Sequence, residues 1–478
     1  MKKYILSAFM GVAALTSCSD FLRLQPEHQI NENSFYKSPK DFEIALVGNY
    51  AGLQRLHNTA IVNLGELTTD NADIKWTSPT VSETECDEMN PTASNEFLNT
   101  VWSVCFATIA RSNNILSRLD AVTLTVAQKN QYKGEALFLR AYSYFYLVRL
   151  FGNVPIVDVS FRIPDEIMKF DMTRKSVTEI YSLIIKDLTE AASLLTGVSI
   201  PSKSQASAGA SKTLLGKVYL TNKQYDLAKT VLKEVIDMKT YSLNPDYKKL
   251  FTNGNDELQE SIFEIKYLSG NLGEGNLFSS IFTPARFDMA IFPGNLQGSG
   301  RVLPTRQMAS AYEAKDLRRT ASISDSVKLV TGKYEKEIYG LKFVDFTTGI
   351  AGDGGINFTA LRYADVLLMY AEALNETNDA TEALTYINLV RTRAGLPALN
   401  SMDKADFQLA MERERRVEFF LEGHRWFDLV RTGRAQDVIN KYFKDNGLSF
   451  TVAAHELIMP IPLREIDINP KLGQNPGY

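Results

Sequence analysis

Residues 214–236, LLGKVYLTNKQYDLAKTVLKEVI, decide the fold. Gly216, Tyr219, Ala228, Leu232 and Val235 stand at the offsets of two antiparallel helices joined by a short turn, with small residues where the helices approach. Residues 361–391, LRYADVLLMYAEALNETNDATEALTYINLVR, put Ala371, Leu374, Ala383, Ile387 and Val390 in the same relative places. A looser unit opens at residues 134–150, GEALFLRAYSYFYLVRL, with Ala141 and Tyr144 in place. Its partner helix, near residues 176–195, is displaced by a segment containing Pro155 and Pro164.

These are the spacings of a tetratricopeptide repeat, with the units dispersed rather than tandem. The predicted fold is therefore mostly α: a tetratricopeptide-like helix-pair scaffold with a large irregular insertion containing short strands. Ser38 as N-cap, Pro39 at the first helical position and Asp41 in the first turn predict a helix to about Leu56. Further helices are expected over residues 97–119, 127–150 and from Asp403 to about Thr432. Residues 65–96 mix Thr, Ser, Asn, Asp and Pro and read as loop. Residues 241–358 carry SGNLGEG, PGNLQGSG and GIAGDGG around short apolar runs such as SIFEIKY, which predicts irregular structure with a few strands. Insertions of this kind gather on one face of a repeat array, often the binding face.

The amino terminus, MKKYILSAFMGVAALTSC, has basic Lys2 and Lys3, an apolar run from Tyr4, and Leu15-Thr16-Ser17-Cys18 at its end. The run is shorter than the roughly 20 residues that span a bilayer and reads as a signal peptide over residues 1–17. Its last four residues resemble a bacterial lipobox, which makes Cys18 the lipidated first residue of an extracytoplasmic chain, with a tether over residues 18–37 and one domain over 38–478. With 52 basic against 56 acidic residues and no long run of one sign, a nucleic-acid footprint is excluded. After Cys18 only Cys86 and Cys105 remain, too few for a disulfide scaffold or a zinc cluster.

Over its whole length the chain resembles the SusD-like (SusD/RagB) outer-membrane lipoproteins. The lipobox, GELTTDNAD at 65–73, GEALFLRAYSYFYLVRLFGNVPIV, the two repeat units, ERRVEFFLEGHRWFDLVRTG at 414–433 and the tail INPKLGQNPGY carry the resemblance. It implies a cell-surface protein, lipid-anchored in the outer membrane, that binds a glycan, or in some members a peptide, and caps a SusC-like TonB-dependent barrel. It also implies that the helix pairs face the barrel and that a variable region bears the ligand.

A sugar needs flat apolar surface for its C–H faces and fixed donors and acceptors for its hydroxyls; aromatic rings supply the first, and Asp, Asn, Gln and Arg the second. Trp76, with Asn71 and Asp73 nearby, lies in an aperiodic polar stretch and is expected either as a ligand platform or in local packing. Tyr267, Phe278, Phe287 and Phe292, with Arg286 and Asn295 as polar partners, are the candidates in the large insertion; at least half of its aromatics are expected to pack a small core. Trp102 and Trp426 sit in apolar-periodic helices and are assigned to the core.

His424 with Glu422, Arg425 and Asp428 is read as structural, and the ERERR run as a solvated face or a salt-bridge lattice. No G-x-S-x-G, H-E-x-x-H, Walker or G-x-G-x-x-G motif is present, and Asp70 and Asp73 lack the rest of a calcium loop, so no enzyme, cofactor or metal is expected. The expected function is capture of oligosaccharide and its delivery to a partner barrel. The alternatives are peptide capture on the same scaffold, a surface glycosidase with paired carboxylates, and a repeat scaffold for protein assembly.

Overall fold

The computed structural model describes residues 35–75 and 77–478; the signal peptide, Cys18 and most of the tether lie outside the described residues. Helix α1 (Pro39–Arg55) starts as its sequence dictates. The Ser38 N–H and hydroxyl both donate to the Asp41 carboxylate, at 2.8 and 2.9 Å, which closes a capping box. Two π-helical turns, Leu56–Ala60 and Asn63–Leu67, then carry the chain inward.

Helices α2 (Glu96–Arg118), α3 (Val126–Phe151), α4 (Val177–Leu194), α5 (Ala208–Thr221), α6 (Tyr225–Asp237), α7 (Tyr363–Glu376) and α8 (Ala380–Arg393) follow. From α1 to α8 each helix packs on the next, so repeat units that lie far apart in sequence are neighbours in space. The small positions mark the crossings. A Cβ on Gly216 would lie 2.4 Å from Leu232 Cδ2, and one on Gly134 2.6 Å from Leu195 Cγ. Ala371 and Ala383 are fully buried. Helix α3 is apolar on nearly all sides because it runs between α2, α4 and α1 and is buried through most of its length.

Between α6 and α7 the insertion leaves the scaffold and returns through one antiparallel clasp. Strand Ser261–Ile265 pairs with Phe358–Arg362, which runs directly into α7. The rest is loop, short helices, a hairpin, Ile323–Lys328 with Tyr334–Gly340, and the two-residue strand Leu303–Pro304, which pairs with Ala72–Asp73.

Two expectations need correction. The helix expected from Asp403 to Thr432 is α9 (Lys404–Glu418) and α10 (Arg425–Arg431), separated by a turn in which Leu421 and Gly423 take φ of 65° and 72°. Residues 65–96 are not all loop: Thr80 and Glu83 form a capping box that starts helix Val81–Asp87, and residues 65–71 are buried against the α9–α10 turn. Cys86 and Cys105 are free and buried.

Candidate functional site

The sequence block richest in charge makes a buried lattice. Arg362 reaches Glu260 at 2.9 Å, Glu418 at 2.6 Å and Glu422 at 2.7 Å. Arg318 is gripped by Asp316 at 2.8 Å and also meets Glu414 and Glu418, while Lys342 pairs with Glu422 at 2.8 Å. Burial alone would raise the Glu418 carboxyl, but Arg393, Arg362 and Arg318 hold it well below the usual range. A second knot joins Arg415 to Asp365 at 2.7 Å and to Asp428 at 2.9 Å, with Arg431 on Asp428 and Glu372. His424 stacks on Phe419 within it, and burial, with Lys217 nearby, pushes its imidazole far below the ordinary value. The half-buried imidazole, stacked on Phe419 with its Nδ1 3.4 Å from Arg415 Nη2, is part of this knot.

GELTTDNAD docks on this lattice. Glu66 accepts the Gly423 N–H and the Asn71 amide, each at 2.8 Å, while Asp70 takes Arg425 at 2.8 Å and Arg416 at 2.9 Å. Carboxylates tied this way to guanidinium groups and shut from solvent offer no pair to a glycosidic bond. The ERERR run is therefore a lattice rather than a solvated face: Glu414 and Arg415 are buried. Trp102 and Trp426 are core residues, as their helical spacing predicts.

The structure separates the ligand candidates. Asn71 is buried between Glu66 and Arg416 and cannot reach a ligand. Tyr267, Phe278 and Phe292 are also buried. Tyr267 donates to the Gln54 carbonyl at 2.8 Å, and Phe278 stacks on Phe282 beside Phe343 and Phe358 in a small aromatic core. The clasp and the short helix Phe278–Ile281 turn these rings inward, which residue types among glycines do not reveal.

Phe287 is different, being 85% exposed. Its neighbour Arg286 is held by Asp288 at 2.9 Å, Glu335 at 2.7 Å and Glu337 at 3.3 Å, which fixes the loop to the hairpin. Asp73 is partly buried and paired with Lys75, whose N–H donates to the Gly300 carbonyl at 2.9 Å. Trp76 and the side chain of Asn295 lie outside the described residues. Two more rings of the large insertion are exposed: Tyr334, 67% exposed and next to the Glu335 that grips Arg286, and Phe346, 42% exposed. Their sequence contexts, KYEKEIY and FVDFTTG, look like an ordinary charged strand and an ordinary turn.

A model of the SusD family matches residues 324–478, and one described as starch-binding, associating with the outer membrane, matches residues 20–220. SusD-like protein P38 of Formosa agariphila is 28% identical over 98% of this chain and 97% of its own length. The chain belongs to the SusD family. The starch-binding protein SusD of Bacteroides thetaiotaomicron is 27% identical to this SusD-family chain over 74% of each. A solved laminarin-binding SusD-like protein superposes with a TM-score of 0.79 at 27% identity, over 93% of this chain and all of its own. The SusD family is one of binding proteins associated with the outer membrane, not of enzymes.

Proposed function

We propose that this SusD-family protein captures oligosaccharide at the cell surface and delivers it to a SusC-like TonB-dependent barrel, held to the outer membrane by lipid on Cys18. The observation that carries the reading is Phe287: a ring 85% exposed on a loop that three carboxylates fix through Arg286. A large apolar ring left in water is the surface a pyranose face requires, and its fixed loop lowers the entropy cost of binding. Trp76 and Tyr334 are further platforms in this reading, and Asp73, Arg286 and Asn295 its polar partners. Two glycan-binding relatives, one for laminarin and one for starch, support the cargo class.

Affinity electrophoresis against laminarin, starch and a panel of soluble polysaccharides tests it. Phe287→Ala and Trp76→Ala should keep the melting temperature and lose about thirtyfold in affinity, the effect of removing an aromatic anchor. Glycans incubated with the protein should keep their length. Retention of peptides but of no glycan would move the assignment to peptide capture, and steady release of shorter sugars to a glycosidase.

A further inference from the structure

We propose that Phe346, backed by Phe292, is a further sugar-ring platform, with Asn253 and Thr347 addressing the hydroxyls of the bound residue. The inference rests on the glycan-capture reading and adds a subsite to it.

The ring is built to stand still. Phe346 lies parallel to buried Phe292, with centroids 5.7 Å apart and planes 22° apart, so one ring covers another and the outer one stays 42% exposed. Its turn is tied on several sides. The Asp345 carboxylate accepts the Thr347 N–H, the Gly355 N–H and the Asn253 amide at 2.9, 2.9 and 3.0 Å, as well as the Thr347 hydroxyl. The Asp345 N–H donates to Ser279 Oγ at 2.8 Å. Gly349 closes the far side: a Cβ there would come within 3.2 Å of the Pro293 carbonyl oxygen.

The polar groups tied to the turn that carries the ring fit a sugar better than a protein partner. Asn253 and Thr347 are exposed and lie 3.3 Å apart, Nδ2 to Oγ1. Both Asn253 N–H groups and the Thr347 hydroxyl proton are spent in these bonds, so the pair presents acceptors, the Asn253 Oδ1 and a lone pair on Thr347 Oγ1, to the donating hydroxyls of a sugar. Exposed Ile350 extends the apolar surface along the same turn. A fixed ring on a turn that also carries uncharged hydrogen-bonding groups pays little ordering entropy when a pyranose stacks on it.

The experiment compares the purified protein with Phe346→Ala, Phe346→Trp and Asn253→Ala by affinity electrophoresis on the same polysaccharide panel and by thermal melting. Phe346→Ala should melt close to the parent and lose about thirtyfold in affinity for whichever glycan retards the parent. Phe346→Trp should keep or raise that affinity, and Asn253→Ala should weaken it less than Phe346→Ala. Unchanged retention of Phe346→Ala, with Phe287→Ala impaired, overturns this subsite and leaves glycan capture standing. Early melting of Phe346→Ala with normal retention makes the ring a packing residue and also overturns it. A parent that no glycan retards overturns both.

Discussion

Gly65 and Gly423 meet backbone to backbone: a Cβ on Gly65 would lie 2.6 Å from the Gly423 carbonyl oxygen. The contact joins two segments some 350 residues apart in sequence, and the Glu66 carboxylate seals it by accepting the Gly423 N–H at 2.8 Å. Gly423 itself needs its φ of 72°, and a side chain there would press on Ile61.

Gly65→Ala should therefore destabilise the protein by about 1–3 kcal/mol, the range for overpacking a close contact. The atoms in the way are backbone and cannot swing aside. Urea denaturation measures it, and an unchanged midpoint would show that the α9–α10 turn gives way freely.

Arg362→Ala removes a guanidinium that Glu260, Glu418 and Glu422 share. Three carboxylates then stay buried with less positive charge, and breaking a buried pair costs about 3–5 kcal/mol. Chemical denaturation should show that loss. A cost below about 1 kcal/mol would mean that water enters the lattice and takes the place of the guanidinium.

The scaffold was legible because its rules are local. Gly216 with Leu232, and Ala371 with Ala383, announce helix crossings by spacing alone, and Ser38-Pro39 announces a helix start. The candidate ligand face was not legible for a matching reason. Phe278 is covered by Phe358 of the clasp between residues 261–265 and 358–362, a pairing that no local pattern encodes, while Phe287 stands on a loop tied to the hairpin. Asn71 looked like a ligand donor because its partners, Glu66 and Arg416, come from segments that meet only in the fold. Phe346 escaped notice because its exposure follows from stacking on Phe292, some fifty residues earlier.

Ala383→Leu tests the second repeat unit. Ala383 is fully buried on α8, which packs on α7. The added methylenes should cost about 1–3 kcal/mol and lower the melting temperature. An unaltered melting temperature would place the crossing elsewhere on the helix.

Glu135 gives a pH prediction with a definite sign. Its carboxylate is fully buried on α3 and accepts the Tyr50 hydroxyl at 2.7 Å and the Gln131 amide at 3.0 Å. Burial pushes its pKa up to about 7, and the hydrogen bonds from Tyr50 and Gln131 only partly oppose it. In the unfolded chain the group returns to its ordinary value of about 4.5. Between those two values the folded state keeps a proton that the unfolded state releases, so stability falls as pH rises. The contribution is fully present below the unfolded value and is lost as pH passes through the folded one. Glu135→Gln keeps the shape and removes the titration. From pH 5 to pH 7.5 the variant should gain on the parent by roughly 1–3 kcal/mol in urea denaturation, given about 1.4 kcal/mol per pKa unit. A difference between the two proteins that stays constant across that range would show that Glu135 ionises at its ordinary value inside the fold, with Tyr50 and Gln131 meeting the cost of its burial.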